Sequence, residues 1–299
     1  MNDAMNDAMN DAMNEAGRTQ RAARPIRSGV LPVPGARLYY ESVGSGPPLL
    51  LIPGGNGTAH IFGPIAQLLA ERFTVVTYDR RGFARSELDG AQDYGRRLET
   101  DADDALAVIE RVAGAPTTVF GPSSGALVAL QAISQARGSI DKAVACEPPA
   151  MKQLANGPQV LDLLDEVYDL YKRSGIAPAL ELFNNKMFPR ETVEHFARLR
   201  DMNLPGVRAA VDYWFEHELR QYCAVDLDID ALKANAGRIV VAAGQGSRGY
   251  PLYELSANLA NKLGQAATEL PGAHTGYATR AAEFAPALLD LLGRVDARS

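Results

Sequence analysis

Short apolar runs alternate with amphipathic, helix-forming segments along most of this chain. Runs of strand length lie at 48–52, 73–78, 117–120, 141–146 and 238–243, and glycine or proline follows each of them closely. Nearly continuous apolar runs of this length are typical of strands that are buried on both faces. Strands alternating with helices predict an α/β fold, in which helices cover both faces of a mostly parallel sheet.

One long segment departs from this alternation. Residues 150–232 carry helical periodicity without intervening strands, and many of the aromatic side chains are found there. We interpret 150–232 as a helical lid inserted into the sheet, whose core is formed by 29–149 and 233–299. Some of its aromatic residues should line a pocket, and Trp214, the only tryptophan, is our candidate for a substrate-binding residue.

The first 28 residues have a different composition. Residues 1–16 repeat Met-Asn-Asp-Ala three times and end with Met-Asn-Glu-Ala, and an arginine-rich stretch follows. A polar, low-complexity segment cannot bury a core, so residues 1–28 are predicted to be a disordered tail.

Composition restricts the possible partners and surroundings. The 299-residue chain has a formal net charge of −6 and no basic cluster, which argues against nucleic-acid binding. Its two cysteines, Cys146 and Cys223, offer no disulfide framework and favour a reducing compartment. Because there is neither an apolar run of about 20 residues nor a secretory signal pattern, we expect a cytoplasmic protein without a membrane span. A homodimer is possible.

The most informative motif is Gly121-Pro122-Ser123-Ser124-Gly125. It follows a β-branched and aromatic run and precedes a helix-forming run, so it predicts a sharp strand–turn–helix with Ser123 at the tip, a nucleophile elbow. Side chains at Gly121 or Gly125 would collide with the adjacent strand and helix. The alternative is a glycine-rich turn whose serines only cap the helix.

A second glycine-rich loop, Pro53-Gly54-Gly55-Asn56-Gly57, ends the strand at 48–52. Such a loop lets backbone N–H groups approach a ligand closely. In serine hydrolases one oxyanion donor comes from a loop of this kind and the other from the residue after the nucleophile. The candidates are the N–H groups of Gly55 and Ser124, and a tight turn without a binding role is the alternative.

A nucleophilic serine needs a base, and the chain has only four histidines. His195 and His217 lie in predicted lid helices, where a surface position is expected. His60 follows the oxyanion loop and could contact substrate. His274 follows the final predicted strand, 266–270, in a glycine-flanked loop and stands after Ser123 in the chain, so it is the candidate base.

The histidine needs an acid to orient it. The loop after the strand that ends at Ala243 contains no carboxylate, and Glu254 lies farther on in a helical pattern. Glu147 ends the strand beside the nucleophile strand, and it is our candidate acid.

The acids of the helix predicted at 98–113 (Asp101, Asp103 and Asp104) suggest a metal site, but we favour an interaction with the helix end because no histidine is near. The charged turn at 79–86 is expected to be structural.

Taken together, these motifs resemble the α/β-hydrolase superfamily. Gly-Pro-Ser-Ser-Gly, with Cys-Glu-Pro-Pro placing Glu147 24 residues after Ser123, is similar to the zearalenone-type lactone hydrolases. The resemblance implies an α/β-hydrolase fold with Ser123, Glu147 and His274 as catalytic triad, and it implies Gly55 and Ser124 as oxyanion donors. The lid does not match that family, so its substrate is not carried over.

We therefore expect a serine hydrolase that cleaves a small apolar ester or lactone through an acyl-enzyme, with no metal or organic cofactor. A non-catalytic receptor on the same fold, or a lyase or C–C bond hydrolase with the same triad, is the alternative.

The stretch 244–249 also spells Gly-x-Gly-x-x-Gly, with Glu269 20 residues beyond it, as in dinucleotide-binding proteins. We disfavour that function because Pro251 places the start of the helix after all three glycines.

Overall fold

The computed structural model of the protein describes residues 23–114, 116–136 and 138–293. Most of the predicted tail, including the Met-Asn-Asp-Ala repeats, lies outside these residues. The first strand already begins at Arg27, two residues before the predicted start of the core.

The described residues form one nine-stranded sheet. Its strands are β1 (Arg27–Val33), β2 (Ala36–Gly44), β3 (Pro48–Leu51), β4 (Thr74–Tyr78), β5 (Glu87–Leu88), β6 (Thr117–Pro122), β7 (Ile140–Cys146), β8 (Ile239–Gly244) and β9 (Thr268–Leu270). The order is β1-β2-β4-β3-β6-β7-β8-β9, with β5 paired to β2. Strands from β4 to β9 along this path pair in parallel, whereas β2 pairs antiparallel with β1, β4 and β5.

Helices connect the parallel strands. The α-helices are α1 (Gly63–Leu69), α2 (Arg97–Val108), α3 (Ser124–Gln135), α4 (Gly157–Ser174), α5 (Ile176–Met187), α6 (Arg190–Leu199), α7 (Pro205–His217), α8 (Leu219–Cys223), α9 (Ile229–Ala234), α10 (Pro251–Lys262), α11 (Gly276–Thr279) and α12 (Ala281–Gly293). A π-helical turn, Ile109–Ala113, extends α2, which reproduces the predicted helix at 98–113 with a change of winding at its end.

Two apolar clusters cover the faces of the sheet. One packs α2, α3 and α10 against the sheet through residues such as Leu127 and Leu259. The other packs α1 and α12 against the opposite face through residues such as Ile65 and Leu288. The central strands are therefore buried on both sides, which explains why their sequences read as continuous apolar runs rather than as alternating ones.

Helices α4 to α9 lie between β7 and β8 without an intervening strand, and together they form a helical insertion. A third apolar cluster, which includes Leu164, Phe183 and Phe215, joins this insertion to Leu252 and Leu255 of α10. Many of the insertion's aromatic side chains thus pack against one another. No helix in the described ranges is both long enough and apolar enough to cross a bilayer.

Candidate active site

Ser123 occupies the tip of a sharp turn between β6 and α3. Its backbone has φ 56° and ψ −129°, a conformation that residues other than glycine rarely adopt. A Cβ added to Gly121 would lie 2.1 Å from the carbonyl oxygen of Gly125, and one added to Gly125 would lie 2.2 Å from that of Ile52. The two glycines therefore allow β3, β6 and α3 to approach closely enough to form the predicted strand–turn–helix.

His274 and Glu147 are in direct contact. Nδ1 of His274, in the loop after β9, lies 2.6 Å from Oε2 of Glu147, which directly follows β7. The other carboxylate oxygen of Glu147 accepts a hydrogen bond from the N–H of Gly244 at 2.8 Å. The Glu147 backbone is itself held at φ 52°, and its N–H donates to the carbonyl of Ala242. Glu147 is thus fixed by both its main chain and its side chain.

The contact with Glu147 determines which nitrogen of His274 remains available. A carboxylate can only accept hydrogen bonds, so Nδ1 of His274 must carry a proton and donate it to Glu147. Nε2 is then the hydrogen-bond acceptor of the neutral ring. Both side chains are buried, and the ring of Phe188 packs against that of His274 at 4.7 Å between centroids. This burial limits competition from water for the Glu147–His274 hydrogen bond.

A cavity of about 470 Å³ lies between the sheet and the helical insertion, and both Ser123 and His274 line it. Gly55, Ser124, His60 and Trp214 line the same cavity. Six of the seven residues predicted for the site therefore face one space, and the seventh, Glu147, lies behind His274.

Trp214 and His60 differ in their positions around the cavity. A Cβ on Gly55 would lie 2.7 Å from Nε1 of Trp214, so the indole rests directly on the glycine-rich loop at 53–57. His60 is exposed, which places it at the rim. Leu199 and Leu204 also line the cavity while remaining 42% and 54% exposed, so they border its mouth.

Backbone N–H groups are available beside Ser123. Ser124 is the first residue of α3, so its N–H has no acceptor within the helix. The carbonyl of Gly54 accepts hydrogen bonds from Arg80 Nη2 and from the N–H of Gly57, both at 2.9 Å. The Gly54 carbonyl and the Gly55 N–H belong to one trans peptide unit and point in opposite directions, so fixing the first also orients the second.

Arg80 is the centre of a buried ion cluster. Its guanidinium donates to Asp101 Oδ2 at 2.8 Å and to both carboxylate oxygens of Glu218 at 2.7 and 2.8 Å. The hydroxyl of Tyr222 also contacts Arg80 and Asp101. Burial alone would lower the pKa of Arg80, but the carboxylates of Glu218 and Asp101 raise it well above its usual value. Since Glu218 follows α7 and Arg80 also binds the Gly54 carbonyl, this cluster joins the insertion to the glycine-rich loop at 53–57.

The interpretation of Asp101 and Asp104 as helix-end charges was wrong. Both are buried partners of arginines: Asp101 pairs with Arg80, and Asp104 binds Arg81 through two hydrogen bonds of 2.6 and 2.7 Å. Asp103 is exposed. A carboxylate buried this deeply is stabilised by a specific cation rather than by a helix dipole. Among the described residues, no group of three or more His, Cys, Asp and Glu side chains is arranged to hold a metal ion.

The rest of the charged turn is structural, as predicted. Asp79 Oδ1 accepts a hydrogen bond from the N–H of Ala59 at 2.8 Å, and Asp79 Oδ2 accepts one from Arg85 Nε at 2.7 Å. Gly82 makes the bend at φ 78°. The turn therefore ties the segment after the glycine-rich loop at 53–57 to the end of β4.

The stretch 244–249 does not form the dinucleotide-binding arrangement. A short 3-10 turn, Gln245–Ser247, follows β8, and α10 begins only at Pro251. Glu269, which that pattern would assign to a ribose, forms an ion pair with Arg248 and accepts a hydrogen bond from Tyr253. Gly244 packs against the backbone of Ala273, next to His274.

The comparisons with known proteins agree with this architecture. The sequence profile described as "alpha/beta hydrolase fold" matches residues 47–216. The uncharacterized hydrolase YraK of Bacillus subtilis (strain 168) is 35% identical over 271 residues, which cover 89% of this chain and 96% of that protein. The chain therefore belongs to the α/β-hydrolase fold family, and it is an α/β-hydrolase enzyme.

More distant relatives extend the comparison. A zearalenone hydrolase of Cladophialophora bantiana is 33% identical over 114 residues, 36% of this chain and 42% of that protein, which supports the predicted resemblance over part of the sequence. The crystal structure of the enol-lactonase from Burkholderia xenovorans LB400 matches with a TM-score of 0.62 at 18% identity, covering 88% of this chain and 99% of that one. At that identity the match establishes the fold alone.

Proposed function

We propose that this protein is a serine hydrolase that cleaves a carboxylic ester or lactone through an acyl-enzyme. The observation that carries the proposal is the arrangement around His274. One ring nitrogen is held 2.6 Å from Glu147, and the ring shares a cavity with Ser123, whose backbone is strained at the elbow. A nucleophile, a base and an acid in this relationship are the parts of a catalytic triad.

In the proposed first step, the hydroxyl oxygen of Ser123 attacks the substrate carbonyl while Nε2 of His274 takes the hydroxyl proton. Glu147 keeps the other ring nitrogen protonated and stabilises the imidazolium that forms. When the tetrahedral intermediate collapses, His274 returns the proton to the leaving alcohol. Water then attacks the acyl-serine with His274 as base again, and the acid is released.

The N–H groups of Gly55 and Ser124 are the proposed oxyanion donors. Both residues line the cavity beside Ser123, and the Gly55 peptide is oriented through Arg80. Because these donors are fixed before the reaction, they need little reorganisation as negative charge develops on the substrate oxygen. Losing one such donor typically costs about 10²–10³-fold in rate.

The cavity favours a substrate with a mostly apolar body. Phe183, Phe188, Phe196 and Trp214 line it together with several aliphatic residues. Trp214 covers Gly55, where the scissile carbonyl would lie, and we propose that Trp214 and the rim residue His60 contact the substrate. The names of two relatives, a zearalenone hydrolase and an enol-lactonase, are compatible with an ester or lactone.

We propose that the helical insertion acts as a lid, because it forms one wall of the cavity. The cytoplasmic location, the possible homodimer and the lack of nucleic-acid binding are predictions that await experiment.

Labelling with a fluorophosphonate probe tests the mechanism. The purified protein is treated with the probe and the adduct is mapped by mass spectrometry. We expect stoichiometric labelling at Ser123 that is lost in His274→Ala and weakened in Glu147→Gln. If the folded protein is not labelled at Ser123, the proposed acyl-enzyme mechanism is wrong.

A second assay separates the alternatives. Turnover of simple aryl esters would exclude a non-catalytic receptor, since a receptor binds without releasing product. A lyase or C–C bond hydrolase would be indicated if Ser123 is labelled but neither esters nor lactones are consumed.

A further inference from the structure

Arg200 directly follows α6, and its side chain lines the same cavity as Ser123 and His274. The Nη1 atom of Arg200 is buried and has no hydrogen-bond partner among the described residues. The guanidinium lies over the ring of Phe196, with 4.4 Å between Cζ and the ring centroid. The aromatic face thus supports the cation but provides no acceptor for its N–H groups.

The other titratable side chains of the cavity do not neutralise Arg200. Among the described residues that line the cavity, Glu218 is the one carboxylate, and both of its oxygens accept hydrogen bonds from Arg80. His274 is paired with Glu147, and His60 lies at the rim. Within the described residues, the cavity therefore contains an uncompensated positive charge.

This arrangement is costly unless a ligand completes it. An N–H group that is buried without an acceptor, like Nη1 of Arg200, loses its hydration and gains no hydrogen bond in return. Burial lowers the pKa of Arg200 to about 10, so the side chain is still cationic near neutral pH. The planar guanidinium matches a carboxylate, which accepts two parallel hydrogen bonds.

We propose that Arg200 binds a carboxylate of the substrate, so that the ester or lactone cleaved by this enzyme is a monoanion with an apolar body. This inference rests on the proposed function and specifies its substrate class. It also differs from the expectation of an apolar substrate that the sequence suggests. The body of the proposed substrate is apolar, but one end carries a carboxylate.

The geometry indicates a short separation between the carboxylate and the scissile carbonyl. The ring of Phe196 lies 6.4 Å from that of His274, centroid to centroid, and Arg200 covers the same Phe196 ring. A molecule that reaches from Ser123 past His274 to Arg200 therefore needs a linker of only a few atoms.

A matched pair of substrates tests the proposal. The first is the mono-para-nitrophenyl ester of adipic acid, whose second carboxyl group is free. In the second, an isopropyl group replaces that carboxylate and leaves the size nearly unchanged. Steady-state kinetics are measured for the wild type, Arg200→Met, Arg200→Lys and Arg198→Met. The last variant removes an exposed cation two residues away on α6.

We expect the wild type to prefer the carboxylate ester. Arg200→Met should lower kcat/KM for that ester by about 10–100-fold, mainly through KM, because a charge-assisted hydrogen bond is lost from ground state and transition state alike. The neutral ester should change little, Arg200→Lys should be intermediate, and Arg198→Met should resemble the wild type. If Arg200→Met affects both esters equally, or if the wild type prefers the neutral ester, the inference is wrong.

An equilibrium measurement separates this inference from the proposed hydrolysis. Trp214 is the only tryptophan and lines the cavity, so its fluorescence reports binding in Ser123→Ala without turnover. Tighter binding of the carboxylate ester, abolished by adding Arg200→Met, would support the carboxylate site even if the wild type hydrolysed neither ester. Equal binding of the two esters would refute it while leaving the hydrolase mechanism intact.

Discussion

Arg80 Nη2 donates a hydrogen bond of 2.9 Å to the carbonyl oxygen of Gly54, the peptide unit that also carries the N–H of Gly55. The same nitrogen binds the carboxylate of Glu218 from the helical insertion. Arg80 is therefore a positioning residue: it touches no reacting atom, but it sets the direction of a proposed oxyanion donor.

Substitution of Arg80 should reduce kcat more than it changes KM. Lysine in Arg80→Lys has a single ammonium group and cannot reproduce the forked contacts to Gly54, Asp101 and Glu218. We expect kcat for an aryl ester to fall by about 10–100-fold, less than the 10²–10³-fold typical of removing a donor outright. Steady-state kinetics on folded protein, verified by circular dichroism, would measure the effect.

Arg81→Lys provides the matched control for Arg80→Lys. Arg81 is also buried and ion-paired, through Asp104, but its other side-chain hydrogen bonds among the described residues go to Gln92 and to the carbonyl of Pro34 rather than to the loop at 53–57. The control should lower the thermal midpoint while leaving kcat nearly unchanged. An equal loss of kcat in both variants would mean that general destabilisation, rather than orientation of Gly55, is responsible.

Glu147→Gln should lower kcat by as much as about 10⁴-fold, because an amide can stabilise neither the required tautomer nor the imidazolium. The control is Glu254→Gln, which changes the other acid that the sequence leaves open. Glu254 is exposed on α10, so its substitution should have no effect on aryl ester hydrolysis. Retention of full activity in Glu147→Gln would remove Glu147 from the mechanism.

Alanine at Gly121 or Gly125 should destabilise the elbow. In each case the new Cβ would meet a backbone carbonyl at about 2 Å, which forces strands or helix apart. We expect a loss of at least ~1–3 kcal/mol in the free energy of unfolding, measured by urea denaturation. Gly63→Ala, where nothing lies within 4 Å of the added Cβ, should be neutral or slightly stabilising. Equal effects at all three sites would contradict this packing argument.

The helical insertion should make stability depend on pH near neutrality. Burial lowers the pKa of both His195 and His217 in the folded protein. A nearby positive charge lowers each pKa further: that of Arg198 acts on His195, and that of Arg97 acts on His217. In the unfolded chain both regain a pKa of about 6.5 and bind protons that the folded state does not. The free energy of unfolding should therefore fall as the pH decreases through about 6.5.

The double variant His195→Gln, His217→Phe tests this dependence. Phenylalanine at 217 retains a ring to stack on Tyr94, which lies 3.7 Å from His217 between centroids. Urea denaturation followed by Trp214 fluorescence, between about pH 8 and pH 6, should give a shallower slope for the variant than for the wild type. An unchanged slope would assign the effect to other groups.

The local parts of the site could be predicted from the sequence because local chemistry determines them. An apolar run followed by Gly-x-Ser-x-Gly specifies the turn at Ser123, and the glycines at 54 and 55 mark a close approach of backbone. The pairing of Glu147 with His274 could also be predicted, although 127 residues separate them. Each residue follows a strand, and the order of the strands in the sheet limits which strand ends can meet.

Contacts that depend on the insertion could not be predicted in this way. Arg80 and Glu218 are 138 residues apart, and nothing in either segment marks its partner. The same lack of a signal led to the wrong interpretation of Asp101 and Asp104. The missing acceptor around Arg200 is likewise a property of packing, since any arginine at the end of an amphipathic helix has the same local sequence pattern.

The leucines at the cavity mouth set a condition on which anions can reach Arg200. Leu199 and Leu204 are exposed at the rim, so a substrate passes apolar side chains before it meets the guanidinium of Arg200. Each charge carried past them is stripped of part of its water before any counter-ion compensates it. A doubly charged molecule would lose hydration at two charges, whereas the single guanidinium of Arg200 could compensate only one of them. A neutral molecule would gain no ionic interaction with Arg200. If Arg200 binds the substrate carboxylate as proposed, the rim and the arginine together would act as a desolvation filter that selects singly charged, largely hydrocarbon molecules.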